Sequence, residues 1–438
     1  MTPVAVAALL DGTRADASAV RSGIGLAAFE NLMSDTARAL TCSPLADRYL
    51  LGHLTERGAG RSVLRAGLLL ADHPAVNALE DAATRALCSM LGASWADFRP
   101  LSGLSATLCT MVALTEPGDL VYSIAAEHDG HFATQGLAAR LGRQWAALPW
   151  DQVQDGPDVP ALAAAWRRQP GAMLILDHSV PLRPLPVAAL REAIGGDAVL
   201  VYDASHTLGL IAGGAFQDPL REGCDLIQAN THKSFPGAHK GLLAFADPAT
   251  GRRSSAVIGE TLLSSQATGP TLANFVTCLE MAEYGRAYAA AMLANAAALA
   301  GALTARGLTA RPLAAAHSHL LIVDVAGGDA AALALGRALL DAGLRVNVRK
   351  ARGRTALRLG VQEITRIGMS PCDMERLADL MAAAGRAADP VAWRPETAAL
   401  AAEFSVVRYS FDPGADDGGA DTSRQAAAAP AGQFADVS

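Results

Sequence analysis

Two residues separated by 30 positions (233 − 203 = 30) carry the first chemical signal in this chain. An apolar run, Val199-Leu-Val-Tyr, ends abruptly in Asp203, and Ala-Ser-His206 follows it. Further on, Ala229-Asn-Thr-His leads into Lys233, then Ser-Phe-Pro-Gly237. A carboxylate at the end of a buried strand is costly unless a cationic partner meets it. Taken singly, the Asp reads as a helix cap and the Lys as a surface residue after a strand. Taken in this order, with Thr231-His232 before the Lys and a Gly after it, they suit pyridoxal 5'-phosphate. Asp203 would pair with the pyridinium nitrogen and keep it protonated, so that the ring draws electrons. Lys233, with a lowered pKa, would hold the cofactor as a Schiff base.

Such residues need a frame. Short apolar runs at Asp119–Ile124, Ala172–Leu176, Ala198–Tyr202, Leu226–Gln228 and Gly241–Phe245 read as buried strands, with helices such as Val159–Arg168 and Val187–Ile194 between them. Buried strands alternating with helices predict a largely parallel sheet covered on both faces, whose ligands sit outside the carboxyl ends of the strands. An Ala-rich helix over Thr271–Arg306 joins this unit to a smaller one: strand His319–Val325, helix Ala330–Ala342, strands Arg345–Val348 and Ala356–Leu359, and helix Asp373–Ala387. The expected division is an N-terminal arm (1–22), a large α/β domain (23–280), a connecting helix (281–306), a small C-terminal α/β domain (307–413) and a disordered tail (414–438). The tail is small, polar and repetitive, too poor in apolar surface to offset its ordering entropy.

Composition narrows the function. The chain has 438 residues, 51% hydrophobic and 18% charged, with a net charge of −7 and no basic stripe of the kind nucleic-acid binding needs. Its six cysteines form no C-x-x-C pair and no histidine cluster has ligand spacing, so no metal is expected and the thiols read as scattered, reduced and mostly buried. The N-terminus makes a poor signal peptide, and no apolar run reaches the roughly 20 residues of a membrane span, which predicts a cytoplasmic protein.

Asp203-Ala-Ser-His206 with Thr231-His-Lys233-Ser, Gly237 and Gly241 resembles serine hydroxymethyltransferase and its relatives among fold-type-I pyridoxal-phosphate enzymes. The resemblance runs from about Phe29 to Ala387. Ser102-Gly103-Leu104 resembles that family's Ser-Gly-Ser phosphate loop, with Leu104 in place of the second Ser. His128-Asp-Gly-His131 resembles its His-Gly-Gly-His, whose second histidine stacks on the cofactor ring; this implies the same of His131. Ser179 and His206 are implied near the cofactor's phenolic oxygen, and Thr231 and His232 beside the cofactor. Ala356-Leu-Arg358-Leu-Gly360 resembles the segment whose Arg binds the substrate carboxylate, where a planar guanidinium offers a two-pronged bond. The resemblance also implies a homodimer with interfacial sites, in which Ser264–Pro270 reaches the partner's phosphate.

The N-terminal third departs from the family. Glu30-Asn31 and Ser34 are kept, but Phe29 replaces a Ser. Tyr49 is kept, as a residue for substrate binding and proton transfer, but Leu51 stands where the family has the Glu that handles protons in folate-dependent transfer. Leucine moves no proton. The pattern is similar to the threonine transaldolases of natural-product biosynthesis. That implies cleavage of L-threonine to acetaldehyde and a glycine quinonoid, followed by addition of a second aldehyde to give a β-hydroxy-α-amino acid. Lys233, His131, Asp203 and Tyr49 would be the catalytic set. A folate-dependent hydroxymethyltransferase, a simple threonine aldolase and a catalytically silent scaffold relative are the alternatives.

Overall fold

The computed structural model describes residues 3–48, 62–65, 68–71, 73–311, 317–351 and 354–413. A seven-stranded sheet forms its centre: β1 (Trp95–Asp97), β2 (Leu120–Ser123), β3 (Gln144–Ala147), β4 (Met173–Leu176), β5 (Val199–Asp203), β6 (Leu226–Asn230) and β7 (Gly241–Phe245). Their spatial order is β1-β7-β6-β5-β4-β2-β3. Only β7 runs against its neighbours, so the expectation of a mostly parallel sheet holds. The five runs read as strands are all strands. The sequence reading missed β1 and β3. Both are edge strands, and the exposed ends of β3 break the continuous apolar signature of an interior strand.

A smaller antiparallel sheet follows, with β8 (Thr309–Arg311), β9 (Leu320–Asp324), β10 (Asn347–Ala351) and β11 (Arg354–Gly360) in the order β8-β9-β11-β10. Helices Gly328–Asp341 and Met374–Arg386 pack with this unit. The single strand expected at Arg345–Val348 divides. Leu344–Arg345 pairs in parallel with Ile24–Gly25, whereas Asn347 onward pairs with β11. The chain around Ile24 therefore lies along the small unit. The N-terminal arm is a helix, Pro3–Arg21, exposed at Ala5 and beyond.

The Ala-rich helix, Thr268–Ala305, is continuous over 38 residues. It is long and apolar enough to cross a membrane, but half of its most apolar stretch is buried inside the protein. Small side chains let the helices Asp35–Thr41, Pro74–Leu91 and Met374–Arg386 pack against it. It carries Glu280 and Asn295 at 0% exposure. Glu280 meets Arg366 at 2.7 Å, and Asn295 Nδ2 donates to Thr365 Oγ1 at 2.9 Å. Those polar groups are matched by polar groups of the small unit, which makes this a core helix joining the two units. Of the six thiols, Cys109, Cys224 and Cys278 are buried, Cys88 is partly covered, and Cys42 and Cys372 are exposed, so burial is less general than expected.

Candidate active site

Parallel neighbours bring their carboxyl ends to one edge of the sheet. β4, β5 and β6 lie side by side, with Tyr202 opposite Leu176 and Asp203 opposite Gln228. Asp177 to Ser179, Asp203 to His206 and Asn230 to Lys233 therefore leave adjacent strands at the same level. One cavity is lined by Gly103, Leu104, Thr107, His131, Asp177, His178, Ser179, Asp203, Ser205, His206, Asn230 and Lys233.

Lys233 Nζ lies 3.2 Å from His206 Nε2. Burial lowers the Lys233 amine to about 8; the Asp203 carboxylate opposes this and Arg358 adds to it. Near neutral pH a useful fraction of this amine is uncharged and nucleophilic. His206 is held well below its ordinary value by burial and by the cations Lys233 and Arg358, so its ring is neutral. Asp203 is fixed in direction: Ser205 N donates to Oδ1 at 2.8 Å and Gln228 Nε2 donates to Oδ2 at 2.9 Å. The lysine turn is clamped from outside, since Asn31 Nδ2 donates to the Lys233 carbonyl at 2.6 Å.

Ser102 caps the helix Gly103–Leu114 by accepting from Ser105 N at 3.1 Å, and Gly103 N donates to Asn230 Oδ1 at 2.8 Å. A Cβ on Gly241 would stand 2.3 Å from the Ser102 carbonyl oxygen, so a side chain there would displace this helix start. The His128–His131 turn is equally tight, because a Cβ on Gly130 would lie 1.9 Å from the Ile124 carbonyl oxygen. Asp129 takes a left-handed backbone at φ 64° and pairs with Arg349 of the small unit at 2.9 Å. Burial lowers the His131 pKa, with Lys233 assisting and Asp203 opposing, so this ring too is neutral.

The small unit delivers Arg358 from β11. Its Nε donates to Asn347 Oδ1 at 3.1 Å and its Nη1 to the Ser179 carbonyl at 3.1 Å. Its guanidinium carbon lies 5.6 Å from the centre of the Phe29 ring. Burial and neighbouring Arg349 bring its pKa down to about 10, still charged at neutral pH. A guanidinium has five N–H donors, so three remain after these two bonds, enough for a carboxylate to take two.

Of the residues singled out in the sequence, Gly103, Leu104, His131, Ser179, Asp203, His206 and Lys233 line the cavity. Ser102 acts one step away as the helix cap. Thr231 and His232 are not among the cavity-lining residues. The Thr231 hydroxyl is fully buried and serves the turn that carries Lys233, bonding with Ala238, Lys240 and Asn274. His232 stacks on His239 with ring centres 3.8 Å apart. Tyr49 and Leu51 lie outside the described residues. Ser264–Pro270 is tied within its own subunit: the Gln266 carbonyl accepts from Lys240 Nζ and Thr268 Oγ1 donates to the Arg48 carbonyl at 2.8 Å.

Sequence reasoning passed over Asp177, Gln228 and His319. Asp177 stands at the end of an apolar strand, as Asp203 does, so the same signal was present. Burial raises it to about 7, against the Thr134 hydroxyl, which donates to Oδ2 at 2.5 Å. That bond ties the segment after His131 to the end of β4. His319 is fully buried, with neither ring nitrogen hydrogen-bonded among the described residues. Burial, with Arg358 and Lys233 adding to it, lowers it to about 3.

The donor set fits pyridoxal phosphate. A nucleophilic amine, a fixed carboxylate, a helix start with cleared backbone and a neutral imidazole surround one cavity. The His206 Nδ1 atom is buried without a partner among the described residues. With Arg349 paired to Asp129, the groups left facing each other are Lys233 and Arg358 against Asp203 and the buried Asp177, whose pKa is raised to about 7; two cationic side chains are thus in place for an anionic cofactor and an amino-acid carboxylate.

Comparison with known proteins agrees with this chemistry. The sequence profile of serine hydroxymethyltransferase matches residues 7–381. A fluorothreonine transaldolase from Streptantibioticus cattleyicolor is 39% identical over 392 residues, covering 89% of this chain; the chain spans only 61% of that relative. A serine hydroxymethyltransferase from Pyrobaculum neutrophilum is 33% identical over 428 residues, covering 94% of this chain and 96% of the relative. The crystal structure of L-threonine transaldolase from Pseudomonas fluorescens, in its internal aldimine state, superposes with a TM-score of 0.85 at 29% identity, covering 93% of this chain and 94% of that one. With its fold, its strand-end Asp and its buried Lys, this chain belongs to the serine hydroxymethyltransferase family of fold-type-I, pyridoxal-phosphate-dependent transferases.

Proposed function

We propose that the enzyme is an L-threonine transaldolase: L-threonine and a second aldehyde give acetaldehyde and a new β-hydroxy-α-amino acid. The observation that carries this reading is the Phe29 ring over the Arg358 guanidinium. It builds an apolar wall where the substrate carboxylate would dock, at a position where the hydroxymethyltransferase pattern has a hydroxyl. The sequence supports it with Leu51 in place of the proton-handling acid, and the likeness to two transaldolases points the same way.

When bound, pyridoxal phosphate supplies a sink for the electron pair released as the Cα–Cβ bond breaks. The chain's residues do the rest. Lys233 holds the cofactor and, with its lowered pKa, exchanges protons near neutrality. Asp203, oriented by Gln228 and Ser205, would pair with the cofactor's ring nitrogen and keep it protonated. Ser179 and His206 would hold the cofactor's phenolic side, the turn Ser102–Leu104 would take its phosphate, and His131 would cover a ring face. Arg358 binds the threonine carboxylate and so sets which Cα bond stands across the ring. The β-hydroxyl proton goes to the neutral His131 ring, to a water, or to Tyr49 as its phenolate. Phe29 sets an apolar ring beside Arg358, which would keep water from that side of the site.

We also infer a homodimer. Leu104, which lines the cavity, is exposed, as are Leu101 and Phe132, the latter to 81%, and the arm helix presents Val6, Leu9 and Leu10 to solvent. The hydroxymethyltransferase reading keeps support from relatives such as the Pyrobaculum enzyme. The deciding experiment incubates holoenzyme with L-threonine and a panel of aldehydes, with acetaldehyde followed in parallel. Aldehyde-dependent β-hydroxy amino acids without folate are expected. Acetaldehyde without adduct would mean a threonine aldolase, and folate-dependent serine turnover with no reaction of threonine would restore the hydroxymethyltransferase.

A further inference from the structure

The loop after β4 faces two cavities. Asp177, His178 and Ser179 line the cofactor-side cavity, while His178, Val180, Leu182 and Arg183 line a second cleft closed opposite by Gln154 and Pro157. His178 belongs to both. We propose that this second cleft is the acceptor subsite, and that it takes aldehydes whose distal group is a planar, uncharged, hydrogen-bonding ring; the inference rests on the transaldolase reading.

Size comes first. The cleft encloses about 180 Å³, against about 20 Å³ for the cofactor-side cavity. A cavity of roughly 150 Å³ holds a benzene ring, so the second cleft has room for one ring beside the cofactor's own site. Its walls are rigid: Pro157, Pro184 and Pro186, with Val180 and Leu182, offer flat apolar surface that needs little ordering when a ring docks. Charge comes second. The Arg183 guanidinium is bonded to the Gln154 and Asp155 carbonyls and lies 3.8 Å from the Asp155 carboxylate. That cation is already balanced, so a phosphate or carboxylate tail finds no net attraction. Gln154, Asp155 and Arg183 still offer donors and acceptors to a neutral polar ring.

Position comes third. Trp150 lies against His178 with ring centres 5.5 Å apart, bracing the residue that divides the two cavities. Val180 packs with Ile322 and Ala356 of the small unit, and the Ser179 carbonyl holds Arg358. The loop that shapes the cleft thus also fixes the group that binds the threonine carboxylate. The cleft therefore adjoins the cofactor side through His178 and shares its loop with the carbonyl that holds Arg358.

The test uses holoenzyme and Leu182→Trp, which fills the cleft, with Arg183→Ala as the second variant because its exposed side chain is not needed for folding. Two measurements run together: the ratio of kcat/KM for 4-hydroxyphenylacetaldehyde to that for propionaldehyde, and calorimetric binding of the unreactive alcohol 2-(4-hydroxyphenyl)ethanol. Leu182→Trp is expected to lower the ratio at least tenfold and to abolish alcohol binding. Arg183→Ala is expected to lower the ratio several-fold, and a 4-carboxylated ring to be a tenfold poorer acceptor for the parent enzyme. An unchanged ratio, alcohol that binds parent and Leu182→Trp alike or fails to bind the parent, or equal use of the carboxylated ring overturns the proposal. If no aldehyde gives an adduct, the transaldolase reading falls, and the alcohol titration still decides the cleft.

Discussion

Replacing Arg358 by Lys isolates the carboxylate clamp. Two of the five guanidinium donors are engaged by Asn347 and the Ser179 carbonyl, and the remaining three can give a carboxylate two parallel bonds. Hydrogen bonds to charged groups contribute about 1.5–3 kcal/mol each. Lysine keeps the positive charge but has no fork, so at least one bond is lost, about 1.5–3 kcal/mol or roughly 10- to 150-fold in affinity. Alanine loses both, about 3–6 kcal/mol, and leaves the Ser179 carbonyl without its donor. The assay is titration of the holoenzyme's visible absorbance with L-threonine, alongside thermal unfolding to confirm that the small unit stays docked. A threonine Kd within twofold of the parent in Arg358→Lys, with an unchanged melting curve, would refute the assignment of Arg358 to the substrate carboxylate.

Lys233→Ala is expected to lose the visible absorbance of the lysine-bound cofactor and all threonine-driven acetaldehyde release; normal turnover would remove Lys233 from the mechanism. The lowered Lys233 pKa makes cofactor uptake by apoenzyme pH-dependent. The reactive neutral amine accumulates as pH rises through about 8, so the uptake rate should climb to that point and level off, whereas a midpoint near 10.5 would contradict the burial argument. The linkage has a matching sign: between those two values the unfolded chain binds the extra proton, so this group makes the apoenzyme more stable as pH rises from about 8 to 10.5. Glu280→Ala strands the Arg366 cation, which is 0% exposed, and should cost about 3–5 kcal/mol, read as a lower denaturant midpoint; a loss below about 1 kcal/mol would show the pair to be solvated.

Local pattern carried much of the fold. Strands buried on both faces declare themselves as short apolar runs, and each interior strand expected in the large unit is present. Edge strands such as Gln144–Ala147 face mixed surroundings, so their pattern is diluted and they were not legible. The division of the chain near Val346 was invisible for a related reason: Asn347 pairs locally with Arg358, but Leu344 pairs with Ile24, a partner far away in sequence.

The candidate site divides along the same line. Asp203 and Lys233 could be read from the chain alone because a polar residue ending an apolar strand is a local feature with a local cost. Sequence by itself also marked Phe29 and Leu51 as departures. Tertiary structure alone decided that Phe29 lies over Arg358, that Arg358 reaches a carbonyl 179 residues away at Ser179, and that Thr231 faces its own turn and not the cavity. Periodicity reports how a residue is buried, but not which strand ends become neighbours. That depends on sheet order and on how the two units dock, where contacts join residues distant in the chain and leave no local mark.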